Sequence, residues 1–289
     1  MNSSRFRIFK FRAGNTNDLD ALFDNYLWFA GLSDLNDPYE GYAQFSNAGV
    51  NDEFRLKFLT AVYKWHPKKY ISPEDEAKEI MANHEKNTGV KFSDYVDDKA
   101  KEIIKDFYEE HKMECKVLSF SLAKEDHEFP APLTNMLMWG HYTNGFRGFC
   151  IEFDFHKLKQ SLEDRNHVKL ASSSIDYATD GELPVVEMKT FMQSTIDGSK
   201  DFSLEILKAF TKKEGSWYHE NEVRLMSYLP GKLHYDSECI NAIYISEMAP
   251  TWLMSSLISE LALNRINTKA YVVKLHPKKY KFGFSRIDA

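Results

Sequence analysis

From Phe6 to Arg12 the chain alternates apolar and basic side chains. A period of two marks a strand, and it places Phe9 and Phe11 on one side with Lys10 and Arg12 on the other. Gly14 to Asp18 reads as a turn, with Asn17 or Asp18 capping a short helix through Tyr26. Tyr26, Leu27, Trp28, Phe29 and Ala30 form the next expected strand, broken at Gly31. A turn from Leu35 to Glu40 follows, since Pro38 restricts Asp37 to extended conformations.

The pattern then changes period. Phe54, Phe58, Ala61, Val62 and Trp65 recur at helical spacing, and Ser72 with Pro73 supplies a cap and first residue for a second helix. Val96, Ala100, Ile103, Ile104 and Phe107 give a third helix its apolar face. Strands resume at 116–121, 148–154, 168–177, 220–228, 240–246 and 269–275. Helices are expected at 135–142, at 187–213 with an interruption at Gly198, and at 250–262. Strands surrounding one helical block predict an α+β protein with a mainly antiparallel sheet. It is read as a single domain, 1–289, carrying a helical insertion at 51–112.

Composition narrows the function classes. Thirty-seven Lys and Arg stand against 43 Asp and Glu, a formal charge of −6, which argues against a surface devoted to long nucleic acid duplexes. No apolar run is long enough for a membrane span, and no apolar leader segment opens the chain, so a cytoplasmic protein with no membrane partner is expected. Three dispersed cysteines, Cys115, Cys150 and Cys239, form no metal or disulfide pattern, and no metal is expected. Aromatic residues reach 14%, enough for a large core or for a pocket that stacks a planar ligand.

Three constellations carry candidate chemistry. On an extended strand Glu220, Glu222 and Arg224 share one face, and two carboxylates there suit divided roles, one stabilising a developing cation and one orienting a nucleophile. The same row also reads as a structural ion pair. Asn36 and Asp37, before Pro38, make either a self-bonded turn or a loop that wraps a ligand stacked on Trp28 or Phe29. Ser119 and Ser121 share a strand face and are followed by Asn135, Trp139, His141 and Tyr142, where His141 is either an acid or phosphate contact or a bonded structural residue. No nucleophile elbow, zinc motif, phosphate-binding P-loop or dinucleotide fingerprint occurs.

Taken in order, Phe9 to Arg12, Asn36 to Glu40, Ser119 to Ser121, Met138 to Tyr142, Gly145 to Asp154 and Trp217 to Arg224 resemble the bacterial family called domain of unknown function 2971, over about 9–246. A basic first strand, an aromatic second strand and a late Glu-x-Glu strand are also similar to the ADP-ribosyltransferase fold, a split sheet that holds NAD in its cleft. That resemblance implies an NAD-dependent transferase. Glu222 would be its catalytic carboxylate and Glu220 would orient the acceptor. Lys10 or Arg12 would contact phosphate or ribose, Trp28 or Phe29 would stack, and Asn36 and Ser119 would lend hydrogen bonds. Asp37, Ser121, Trp139, His141, Tyr142 and Arg224 complete the expected cofactor-binding set. The acceptor stays open among protein, nucleic acid and small molecule, and a toxin or phage-defence effector is the setting implied. Two other readings stand beside it. One is a non-catalytic module that senses a nucleotide or binds a protein. The other is a magnesium-dependent nuclease or phosphotransferase using Asp37, Glu222 and His141.

Overall fold

A computed structural model describes residues 6–124, 127–199, 201–229, 231–263 and 268–287. The chain divides into two compact units, each assembled from separated stretches. One comprises Met1–Leu35, Cys115–Tyr177 and Lys213–Ala289, the other Asn36–Glu114 and Ala178–Lys212.

The first unit is built on ten strands. They are β1 (Arg7–Arg12), β2 (Tyr26–Gly31), β3 (Lys116–Leu122), β4 (Phe149–Asp154), β5 (Ala171–Ser174), β6 (Glu222–Ser227), β7 (Gly231–His234), β8 (Ile240–Ser246), β9 (Lys269–Leu275) and β10 (Phe282–Ile287). The sheet runs β7-β2-β3-β1-β4-β8-β9-β10, with β6 paired to β3 and to β5. Every pairing is antiparallel except β8 with β9. The Thr251–Ala262 helix joins those two, as a parallel connection requires. The mixed α and β content and the mainly antiparallel sheet therefore match the expectation.

Alternation along β1 sorts the two cores. Ile8 enters a cluster with Leu118, Phe120, Ile151, Val223 and Leu225, covered by Leu22, Leu158, Leu162, Leu253 and Leu257 from three helices. Phe9 and Phe11 point the other way, against Trp139, Phe146, Tyr244 and Phe282. Lys10 and Arg12 thus share the side of Ile8. Buried on the opposite side, Glu152 receives both Arg7 Nε and Nη2 at 2.8 Å and the Tyr244 hydroxyl at 2.8 Å.

Some boundaries differ from the expectation. Asn15, rather than Asn17 or Asp18, caps the first helix, because its side chain accepts the Asp18 N–H while the Asp18 carboxylate accepts the Asn15 N–H. That helix ends at Phe23. Residues 168–177 hold two short strands, Ala171–Ser174 and Asp176–Ala178. Lys212–Glu214 is a strand rather than the end of a helix, and Gly215–Glu220 is a 3-10 turn.

The second unit contains the helical 51–112 stretch together with 178–212. Its helices are Asp52–Trp65, Pro73–Thr88, Phe92–Glu114, Met188–Asp197 and Asp201–Ala209. Ser72 caps the second with Pro73 in its first turn, as expected. Gly198 ends Met188–Asp197 at φ +68°, a conformation that favours glycine. Two short strands, Gln44–Ser46 and Val185–Glu187, pair in parallel. Among the described residues, no helix is long and apolar enough to cross a membrane.

Candidate functional site

The sheet of the first unit divides along one edge of β3. There β2 pairs with Val117 and Lys116, whereas β1 pairs with Leu122 and Ser121. The edge of β3 between them is served by a side chain: Lys10 Nζ donates to the Ser119 carbonyl oxygen at 2.8 Å. A buried carbonyl needs such a donor, and a long lysine reaches where no strand does. The Lys10 ammonium also lies 5.7 Å from the centre of the Phe120 ring.

Enclosure has an electrostatic consequence. Burial, reinforced by the neighbouring Arg12 charge, pushes the Lys10 ammonium down to about 7, against the pull of Glu222, Asp18 and Glu220. Arg12 is also lowered by burial, with Asp18 opposing at 3.7 Å. Nearby, the Tyr235 hydroxyl is buried without a hydrogen-bond partner among the described residues. Two cations and an unmet hydroxyl therefore lie on the helix-covered side of the division.

Along its other edge, β3 pairs with β6 so that Ser121 faces Glu222 and Ser119 faces Arg224. Arg224 is fully buried, and its Nε donates to Glu222 Oε1 at 2.7 Å. Lys213 Nζ bridges the two acids, 2.8 Å from Glu220 Oε2 and 2.9 Å from Glu222 Oε2. Its ammonium also lies 5.2 Å from the Trp217 ring centre. The Tyr142 hydroxyl donates to Glu220 Oε1, and Ser121 Oγ donates to the Glu220 carbonyl at 2.6 Å. The Glu222 N–H donates to the Tyr177 hydroxyl at 2.8 Å. Burial alone would raise the Glu222 carboxyl, but Arg224, Lys213 and a hydrogen bond from Ser119 overcome it and hold the group at about 2. For Lys213 burial is likewise the largest influence and lowers it, but Glu222 and Glu220 together outweigh it and raise it.

Glu220 does not sit on the strand. It closes the 3-10 turn, and Asn221 at φ +43° swings the chain into β6. Its carboxylate nevertheless meets that of Glu222 through the shared lysine.

The structure joins Ser119, Ser121, Tyr142, Glu220, Glu222 and Arg224 in one bonded set around Lys213, on the side of the strands opposite Val223 and Leu225. Lys10 and Arg12 stand on the side of Ile8, where Lys10 reaches the Ser119 carbonyl and Arg12 pairs with Asp18. Other expected residues lie elsewhere. Phe29 is 1% exposed inside the first core, so it offers no face for stacking, whereas Trp28 on the opposite side of β2 is 55% exposed. Trp139 is wholly buried in the second core, its Nε1 donating to the Leu133 carbonyl at 2.8 Å. It is a packing residue rather than a ligand contact. His141 is exposed, with its ring 6.1 Å from that of His219. Asn36 and Asp37 belong to the second unit, where buried Asp37 accepts the Tyr39 N–H at 2.9 Å and closes its own turn.

Sequence reasoning missed Lys213 and Tyr177. Asn135, named with the Ser119 constellation, donates from its side chain to the His219 carbonyl at 2.8 Å. Lys213 sits seven residues before Glu220, and a short strand followed by a 3-10 turn, rather than one regular element, brings the two together. Among the described residues no group of three or more His, Cys, Asp or Glu side chains could hold a metal ion.

A family model described as "Protein of unknown function (DUF2971)" matches residues 138–225. The match takes in the stretch from Met138 to Asp154 and the Glu220–Arg224 segment, and it leaves the motifs before residue 138 outside. No curated protein and no solved structure matches the chain.

Proposed function

We propose that the first unit binds NAD where its sheet divides and acts as an ADP-ribosyltransferase-like enzyme. The observation that carries this reading is a buried carboxylate, Glu222, held ionised at about 2 on β6, across β3 from the division. NAD would supply a ribosyl group whose bond to neutral nicotinamide breaks as positive charge builds on the sugar. A carboxylate fixed in a dry site stabilises such charge far better than water does, because its environment needs no reorganisation. Arg12, and Lys10 once a bound anion holds its proton, suit a diphosphate, and the unmet Tyr235 hydroxyl suits a polar ligand edge. Trp28 is the exposed aromatic of β2 available for stacking. Glu220 would orient the acceptor, with Tyr142 setting its direction.

A second reading is favoured by the balance of charge. Glu220 and Glu222 are buried against Lys213 and Arg224, two acids on two cations, as a structural ion-pair cluster would be. On that reading the unit senses a nucleotide or binds a partner without chemistry.

Calorimetric NAD binding and chromatographic nicotinamide release separate the two. Wild type and Glu222→Gln are compared with cell extract present as a source of acceptors. The transferase reading expects both proteins to bind and the variant to release nicotinamide at least about a hundredfold more slowly. Binding without release by the wild type would establish the sensing module. A folded wild type that neither binds NAD nor releases nicotinamide rules the transferase out.

A further inference from the structure

The second unit holds a pocket of about 590 Å³ among its helices, within the range of small-molecule sites. Phe191 and Phe202, both buried, line it together with half-buried Ile103 and Phe107. Ile103 and Phe107 explain a difference from the pattern of the Phe92–Glu114 helix. Val96, Ala100, Ile104 and Tyr108 are its buried core face, while the two residues beside that face line the pocket. Trp65 stands at the mouth, 51% exposed.

Two acids, Asp106 and Glu110, also line this pocket, and both are exposed. They lie one helical turn apart on the Phe92–Glu114 helix, so their side chains are neighbours and repel. Among the described residues neither makes an ion pair, unlike Asp97 on the same helix, which is held by Arg55 at 2.8 Å. An apolar, aromatic-walled cavity beside an acid pair that has no ion pair among the described residues matches one ligand chemistry. We propose that this pocket binds a small hydrophobic ammonium compound, its aryl or alkyl body among Phe107, Phe191 and Phe202 and its cation between Asp106, Glu110 and the Trp65 ring. Bringing the cation in relieves the repulsion of the two acids, and the exposed indole adds a cation–π contact.

The test is calorimetric titration of the full chain at low salt with three probes of one shape: 2-phenylethylammonium, 2-phenylethanol and phenylacetate. The expected order is ammonium tightest, by about fivefold to tenfold over the alcohol, with the carboxylate weakest. The surface variant Asp106→Asn/Glu110→Gln should remove the preference for ammonium and keep binding of the alcohol. Thr195→Trp, which fills the cavity, should abolish both. Failure of ammonium to bind, equal binding of ammonium and alcohol, or indifference to either variant overturns the proposal.

Discussion

Lys10 Nζ lies 2.8 Å from the Ser119 carbonyl oxygen, in the place that the N–H of a neighbouring strand would take. A division in a sheet leaves strand groups in need of partners. Here the partner is a charge, carried by a strand on one side of the division. The same enclosure that lets Lys10 satisfy Ser119 holds its ammonium at about 7, so one residue couples the sheet's integrity to pH.

The sign of that coupling is fixed. The folded value lies below the ordinary 10.5, so between about 7 and 10.5 the unfolded chain binds a proton that the folded chain releases. Stability therefore rises with pH through this window, and below about 7 the protein bears the full penalty of a buried ammonium. The contribution to the slope approaches about 1.4 kcal/mol per pH unit. In Lys10→Met that slope should vanish while the Ser119 carbonyl loses its donor. Urea unfolding of both proteins between about pH 7 and pH 9 measures it, and an unchanged slope in the variant would assign the titration to another group.

Glu222 works in the opposite direction. Its folded value, about 2, lies below the ordinary 4.5, so its stabilisation is present above 4.5 and is lost as pH falls toward 2. That difference amounts to roughly 3 kcal/mol. Glu222→Gln should flatten the acid limb of the stability curve by about that amount. At neutral pH the variant leaves Arg224 and Lys213 short of one charge, and a loss of about 3 kcal/mol is expected. Equilibrium unfolding at pH 3, 5 and 7 reads both effects. A variant as acid-sensitive as the wild type would show that Glu222 is not held ionised by its two cations.

Glu152 offers an internal comparison, because it has a cation and a neutral donor that can be removed separately. Tyr244→Phe deletes a single hydrogen bond to a carboxylate still held by Arg7, and a loss of about 1–2 kcal/mol is expected. Arg7→Met leaves a buried carboxylate without its cation, and about 3–5 kcal/mol is expected. Chemical denaturation of the two variants should rank them in that order. The reverse order would mean that the hydroxyl, not the guanidinium, is the main partner of Glu152 in the core.

The sheet was legible where burial imposes a period of two. Phe9 and Phe11 against Lys10 and Arg12 announced β1 and its two faces, because each face meets a different environment. The carboxylates were legible as a pair, although for an incomplete reason: their proximity comes from a 3-10 turn and the left-handed Asn221, which no alternation encodes. Lys213 was illegible, since it meets Glu220 and Glu222 through tertiary folding and lies in a run that reads as helix. Phe29 and Trp28 show a further limit. Which of two adjacent aromatics faces solvent depends on which side of β2 the helices cover, and local sequence does not carry that.

Gly140 and Gly148 stand in the same stretch and look interchangeable in the sequence, yet the fold treats them oppositely. A methyl group at Gly148 would lie 2.0 Å from the Arg12 carbonyl oxygen and 2.9 Å from the Ala13 carbonyl carbon, both backbone atoms. Neither can yield without moving the end of β1 away from β4, so Gly148→Ala should destabilise by more than about 2 kcal/mol. At Gly140, inside the Met136–Tyr142 helix, the same methyl would meet nothing within 4 Å. There the helix gains a residue with less freedom to lose on folding, and Gly140→Ala should stabilise by about 0.5–1 kcal/mol. Thermal unfolding of the two variants beside the wild type checks the pair. If Gly148→Ala were neutral, the close packing of β1 on the start of β4 would be wrong, and with it the path that carries Arg12 to the division of the sheet.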